Sequence, residues 1–170
     1  MNDARRFDEP AVVSGTVVVA ESGAGKFAQV LLDGRHQLHA DEPAKAGGDD
    51  LGPGPYELLL MSLGACTSMT LRLYATRKQL PLERVIVRLK HAKRYIDDCA
   101  DCADKPVMLD HIEREIELIG TLSDEQRASL LEIADKCPVH RTLTSKIIID
   151  TRLTGPSRTN SMPVNPVASG

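Results

Sequence analysis

Two of the four cysteines, Cys66 and Cys137, lie in sequence surroundings that suit thiol chemistry. Cys137 directly precedes Pro138, a residue favoured at the first position of a helix, so we expect Cys137 at the N-terminus of a short helix. Unpaired backbone N–H groups and the helix dipole stabilise negative charge there. His140 and Arg141 add a base and a fixed cation one turn later. The alternative is that Cys137 only fills a tight corner between two helices.

Cys66 lies in the middle of an apolar segment that we predict to be a long, buried central helix over residues 54–78. At about 100° per residue, the side chains on its face are mostly apolar, with small hydroxyl groups among them: Leu59, Ser62, Met69, Thr70 and Leu73. Cysteine also serves as a small hydrophobic residue in core helices, and that interpretation stays open beside a reactive one.

A pair of thiols of this kind suits reaction with peroxides. A thiolate attacks the O–O bond and becomes a sulfenic acid, and a second thiol condenses with it to form a disulfide. The reaction requires the fold to bring Cys66 and Cys137 together, which their positions in the sequence do not reveal.

Cys99 and Cys102 form a CxxC motif in an acidic segment. Such a motif can supply half of a zinc site, with His91 and His111 as nearby candidates, or a redox pair. Zinc requires two further ligands, and the acidic neighbours disfavour thiolates. A solvated loop with two incidental thiols is therefore our default interpretation, and we predict no metal site.

The segments that position these thiols alternate between strand and helix patterns. We predict strands at 11–21, 26–32, 35–40, 83–95, 110–119 and 146–153. The second and third strands are joined by a two-residue hairpin turn at Asp33-Gly34. Besides the central helix, a helix begins at Ser123 with a capping box to Gln126 and ends near position 136, and a short helix runs from 138 to about 144.

This order, βββ–α–ββ–α–(α)–β, predicts an α+β fold. We expect one domain at 11–153, a frayed N-terminus at 1–10 and a disordered C-terminal tail at 154–170. The central helix and the two strand sets carry more apolar surface than one small sheet covers, which favours a homodimer.

The composition does not favour nucleic acid or a membrane as a partner. A net charge of −3 over 170 residues gives no reason to expect nucleic acid or an anionic membrane as partner. Polar residues, including Glu57 and Arg72, interrupt the central segment as a membrane span. The first ten residues contain no apolar signal region, so we expect a cytoplasmic protein.

Two sequence blocks resemble the OsmC/Ohr family of thiol-dependent hydroperoxide reductases. The blocks are GGDDLGPGPYELLLMSLGACTSMTLRLYA at 47–75 and DKCPVHRTL at 135–143, and the resemblance extends over residues 11–153. It implies an intertwined homodimer with two active sites at the subunit interface. Cys66 would be the peroxidatic thiol and Cys137 the resolving thiol, with no metal or organic cofactor. The substrates would be organic hydroperoxides, and an external dithiol would recycle the enzyme.

The sequence departs from the peroxidases of this family near the start of the central helix. Those enzymes pair the reactive cysteine with an arginine and with a glutamate that directly follows the proline opening the helix. Here Tyr56 follows Pro55, and Glu57 comes one position later. A regular helix places Glu57 about 180° from Cys66. Glu57 is nevertheless the candidate for the catalytic carboxylate, and Arg35 or Lys26 is the candidate for the cation. The alternative interpretation is that Arg35 and Lys26 are exposed turn residues.

Besides a metal-binding module through Cys99 and Cys102, which we rank last, the sequence leaves two functions open. The first is a peroxidase for organic hydroperoxides that uses Cys66, Cys137 and Glu57. The second is a non-catalytic, stress-related dimer that binds a ligand or senses redox state.

Overall fold

The computed structural model of the chain describes residues 10–96 and 107–155. Within these residues the fold is α+β, as predicted, with two antiparallel sheets and three α-helices. The strands are β1 (Val18–Glu21), β2 (Gln29–Leu32), β3 (Gln37–Ala40), β4 (Leu82–Ile96) and β5 (Val107–Gly120). The helices are α1 (Pro55–Arg77), α2 (Asp124–Ala134) and α3 (Pro138–Leu143), and a short 3-10 helix covers Ala44–Ala46.

The first sheet is a three-stranded meander in the order β1-β2-β3. Its strands are shorter than predicted, because residues 11–17 and 26–28 have no strand pairing. The predicted two-residue turn is wrong: residues 33–36 all lie between the paired Leu32 and Gln37. The Asp33 side chain stabilises this wider turn by accepting hydrogen bonds from the backbone N–H groups of Arg35 (2.8 Å) and His36 (2.6 Å). The side chain of Asp33 thus selects a longer turn than its Asp-Gly dipeptide indicates.

The loop at 41–54 leads the chain into α1 and is fixed by the buried carboxylate of Asp41. This carboxylate accepts hydrogen bonds from the backbone N–H groups of Glu42 (2.8 Å), Asp49 (3.0 Å) and Leu51 (3.2 Å). A Cβ atom at Gly52 would lie 2.5 Å from the carbonyl oxygen of His39, so the loop approaches β3 more closely than a larger residue allows. These contacts set the point at which α1 begins.

The long hairpin of β4 and β5 is confirmed, with an antiparallel register from Leu82↔Gly120 to Ile96↔Val107. Helix α1 packs on β4. The approach is close at Gly64, where a Cβ atom would lie 2.9 Å from Leu89 Cδ1. The capping box of α2 is also confirmed, because Ser123 Oγ accepts from the Gln126 N–H and the Gln126 side chain accepts from the Ser123 N–H.

Helix α1 is buried along one stripe only, which corrects the prediction of a fully buried helix. Leu63, Thr67, Leu71 and Ala75 form the buried stripe at a spacing of one turn, and Leu71 and Ala75 join the core. Met69, by contrast, is 71% exposed. The helix is apolar all round, but β4, α2 and α3 of one chain pack against only part of it. By length and composition alone, α1 is the one helix of the described residues that could cross a membrane, so its polar residues do not by themselves exclude a span, as the sequence had suggested. In the fold, α1 packs against β4, α2 and α3.

The predicted strand at 146–153 is wrong for the single chain. Residues 146–155 form no regular secondary structure, and Ile148 and Ile149 are 77% and 83% exposed. A strand forms only where its backbone N–H and C=O groups pair with a neighbouring strand, and the described part of this chain offers none here. The observed order is therefore βββ–α–ββ–α–α. The predicted frayed N-terminus, apart from residue 10, and the predicted tail from residue 156 onward lie outside the described residues.

Candidate functional site

Cys66 faces an open, largely apolar hollow of about 400 Å³ between α1 and α3. The hollow is lined by Ser62, Ala65, Cys66, Met69, Thr70 and Leu73 of α1 and by Pro138 and Val139 of α3. Most of the face predicted from the helical periodicity is thus present, with Leu59 outside the hollow. Cys66 is partly exposed and carries a free thiol. Among the described residues, the hydrogen-bond and ion-pair contacts include none to its sulfur.

Cys137 carries a free thiol with no exposed surface (0%). It is the N-cap of α3, as predicted, and its sulfur accepts a hydrogen bond from the backbone N–H of His140 at 3.3 Å. The same sulfur lies 3.7 Å from Thr67 Oγ1, a hydroxyl of the buried stripe of α1. Cys137 therefore connects the start of α3 to the middle of α1.

These contacts bring the two cysteine segments together. Thr67, which touches Cys137, directly follows Cys66 in α1. Pro138 and Val139, which directly follow Cys137, line the hollow of Cys66. The segments around the two thiols therefore meet where α3 begins against the middle of α1, but the thiols differ in environment: Cys66 faces the open hollow, and Cys137 is fully buried.

Arg114 is part of this site, and our sequence reasoning missed it. From β5, its Nη1 donates to Thr67 Oγ1 (3.1 Å) and to the carbonyl oxygen of Ala134 (3.3 Å). Its Nη2 donates to Asp135 Oδ1 at 2.6 Å. The side chain is only 12% exposed. The sequence contained a signal for Arg114. In the alternating pattern of β5 it lies on the same face as the apolar residues Ile112 and Ile116, so it is a charged residue on an otherwise apolar face.

The other candidate polar residues do not meet Cys66 within one chain. Glu57 lines a separate cavity of about 480 Å³ between α1 and β4, whose wall includes Met61, Gly64, Val87 and Leu89. A helix that is regular from Pro55 explains this placement, and the catalytic role of Glu57 stays a prediction. Arg35 lies in the turn between β2 and β3, and Lys26 Nζ lies 4.6 Å from the ring centroid of Phe27.

The predicted CxxC, Cys99 and Cys102, lies outside the described residues. The nearby His91 is engaged elsewhere: its Nε2 lies 2.8 Å from Asp110 Oδ1, and its ring stacks on Tyr56 with centroids 4.4 Å apart. Over residues 10–96 and 107–155, no group of histidine, cysteine, aspartate and glutamate residues is arranged to hold a metal ion.

The fold is similar to that of several solved structures. They include an organic hydroperoxide resistance protein OsmC from Legionella pneumophila, at 18% identity and a TM-score of 0.55 over 79% of this chain and 92% of that one. An OsmC like protein from Mycoplasma pneumoniae gives 21% identity and a TM-score of 0.54 over 75% and 84% of the two chains. An organic hydroperoxide resistance protein from Elizabethkingia anophelis gives 15% identity and a TM-score of 0.55 over 81% and 91%.

The sequence comparison agrees with the fold. No curated protein matches this sequence. Residues 47–152, a segment that contains both Cys66 and Cys137, match the family described as OsmC-like protein. With more than half of its length matched, the chain belongs to the OsmC-like family.

Proposed function

We propose that the protein is a thiol-dependent peroxidase that reduces organic hydroperoxides, with Cys66 as the attacking thiol and Cys137 as the resolving thiol. The observation that carries the proposal is the contact of Cys137 with Thr67, next to Cys66, beside an apolar hollow. Membership of the OsmC-like family supports it. So does the likeness to proteins described as organic hydroperoxide resistance proteins.

The difference in exposure supports the two roles. A hydroperoxide with an organic substituent can enter the hollow and reach Cys66. It has no path to a sulfur with 0% exposure, so Cys137 is suited to react only with a sulfur species formed inside the protein. The wall of the hollow is apolar at Met69, Leu73 and Val139, which favours an organic substituent over hydrogen peroxide.

The proposed cycle has three steps. The Cys66 thiolate attacks the hydroperoxide, the O–O bond breaks, and after proton uptake the products are an alcohol and a Cys66 sulfenic acid. The Cys137 sulfur attacks the Cys66 sulfur, the S–O bond breaks, and water leaves as the disulfide forms. An external dithiol then reduces the disulfide by exchange and is itself oxidised.

The proposed enzyme is a homodimer in which a second copy covers the exposed face of α1. Met61, Met69 and Leu73 are each more than half exposed in one chain, as are Ile148 and Ile149 after α3. Apolar patches of this kind mark interaction surfaces. A second copy also offers a partner for the unpaired backbone of residues 146–153, and it would enclose the hollow of Cys66.

The test is consumption of cumene hydroperoxide with a dithiol such as dihydrolipoamide. We expect Cys66→Ser to abolish turnover. Cys137→Ser should still reduce about one equivalent of hydroperoxide, and should leave Cys66 as a sulfenic acid that dimedone traps. Peptide mapping of the oxidised wild type should find a Cys66–Cys137 disulfide. A wild-type protein that consumes no organic hydroperoxide, with both thiols still reduced, contradicts the proposal.

A non-catalytic dimer that binds a hydrophobic ligand or senses redox state is the second candidate. It is favoured by the separation of Glu57 from the hollow of Cys66, since neither Glu57 nor Arg114 contacts that thiol in one chain. In that case a fluorescent fatty-acid probe should bind with Met69 at its site, and hydroperoxide should not be consumed. Turnover that depends on Cys66 would exclude this second candidate.

A further inference from the structure

The buried hydroxyl of Thr67 joins a guanidinium to the sulfur of Cys137. Arg114 Nη1 lies 3.1 Å from Thr67 Oγ1, and Thr67 Oγ1 lies 3.7 Å from Cys137 Sγ. We propose that Thr67 and Arg114 are positioning residues for Cys137, and that they act when Cys137 condenses with oxidised Cys66. The proposal rests on the proposed function and adds to it a step-specific role for two residues outside the cysteine pair.

The direction of the hydrogen bonds follows from the chemistry of the groups. A guanidinium has only donors, so the Thr67 oxygen accepts from Arg114. The Thr67 hydroxyl proton is then free to point toward Cys137. A second donor, the backbone N–H of His140, already approaches the same sulfur at 3.3 Å. Once Cys137 gives up its proton, its sulfur can only accept, so the Thr67 hydroxyl and the His140 N–H are then two donors to Cys137 Sγ.

The position of the guanidinium is itself fixed. Asp135 Oδ1 accepts from Nη2 at 2.6 Å, and the carbonyl oxygen of Ala134, at the end of α2, accepts from Nη1 at 3.3 Å. The arginine thus connects β5, the end of α2 and the buried stripe of α1. Because its planar fork is held at both nitrogens, Nη1 is directed at Thr67.

These donors suit the condensation step. Water cannot solvate a sulfur with 0% exposure, so protein donors must stabilise the negative charge on Cys137 as it attacks. In that step the S–S bond forms, the S–O bond of the Cys66 sulfenic acid breaks, and the leaving hydroxide takes the thiol proton to give water. Neither Thr67 nor Arg114 lines the hollow, so we expect neither of them to take part in the attack of Cys66 on the hydroperoxide.

The decisive variant is Thr67→Val, which keeps the shape of the side chain and removes the hydroxyl. A hydrogen bond to a charged group contributes about 1.5–3 kcal/mol, so we expect disulfide formation to slow by roughly tenfold to 100-fold. The rate of sulfenic acid formation at Cys66 should not change. Thr67→Ser, which restores the hydroxyl, should restore the rate of condensation. Thr76→Val is the matched control, because it removes a hydroxyl from the same helix that bonds only to its own backbone, at Arg72 O.

The experiment oxidises the full chain with one equivalent of cumene hydroperoxide, quenches at intervals, and quantifies dimedone-trapped sulfenic acid and disulfide by mass spectrometry. A parallel series uses diamide, which closes the Cys66–Cys137 disulfide without peroxide chemistry. Arg114→Met is measured in both series and should also slow closure of the disulfide. If Arg114→Met does not fold, the Val and Ser variants of Thr67 decide the question.

The outcomes separate the two proposals. If hydroperoxide produces neither sulfenic acid nor disulfide in the wild type while diamide closes the disulfide, the peroxidase proposal fails, and the diamide rates still test the role of Thr67. If Thr67→Val closes the disulfide as fast as the wild type in both series, the role proposed for Thr67 and Arg114 is wrong. It is also wrong if Thr67→Ser is as slow as Thr67→Val, because packing and not the hydroxyl would then be responsible.

Discussion

Replacement of Met69 by alanine is expected to weaken the proposed homodimer without unfolding the chain. Met69 lines the hollow of Cys66 and is 71% exposed in one chain, so most of its surface is still available to a partner. Full burial of a methionine side chain contributes about 1.5–3 kcal/mol. Burial of the exposed 71% of Met69 against a partner would therefore contribute about 1–2 kcal/mol per protomer to the free energy of dimerisation.

A two-fold dimer counts this contribution twice, because each copy presents the same surface. Met69→Ala should therefore weaken the free energy of dimerisation by about 2–4 kcal/mol, which raises the dissociation constant of the dimer roughly 30-fold to 1000-fold. The assay is sedimentation velocity of wild type and Met69→Ala across a range of protein concentrations. The matched control is Leu131→Ala on α2, a side chain of similar exposure (62%) away from the hollow of Cys66.

Two results would refute this reasoning. One is a wild-type chain that sediments as a monomer at every concentration, since nothing would then cover the exposed face of α1. The other is a Met69→Ala dimer as tight as the wild type, which would place the interface elsewhere. Equal weakening by Leu131→Ala would show that the effect is not specific to the face that carries Cys66.

Two further predictions concern stability. Leu71→Ala should lower the free energy of unfolding in urea by about 2–5 kcal/mol, because Leu71 is fully buried. The control Leu131→Ala, at an exposed position, should lower it by under about 1 kcal/mol. Equal losses of stability in the two variants would contradict the described core. Asp41→Asn should destabilise in a pH-dependent way. Burial alone would raise the pKa of Asp41, but backbone N–H hydrogen bonds from Leu51, Glu42 and Asp49 outweigh it and hold the pKa below its usual value. The stabilisation by Asp41 is therefore complete above the unfolded-state pKa of about 4, and it is lost as pH falls through the lower folded-state pKa. In urea titrations, the free energies of unfolding of the wild type and Asp41→Asn should therefore converge as the pH falls below about 4. A constant difference would contradict this.

The sequence by itself determined the features that depend on neighbouring residues. Pro55 begins α1 because proline suits the first helical turn, and Ser123 with Gln126 begins α2 through a local capping box. The alternation along β4 and β5 indicated the long hairpin, and the motifs around Cys66 and Cys137 indicated the family. Each of these signals is carried by residues close together in the chain.

Only the tertiary structure decided which groups meet across the chain. It selected one stripe of an all-round apolar helix for burial, and it brought Arg114 from β5 to Thr67 and thereby to Cys137. A helical wheel gives the direction of a side chain but not what lies opposite. The strand predicted at 146–153 failed for the same physical reason: β-branched residues favour an extended chain, but a strand exists only where another backbone pairs with it.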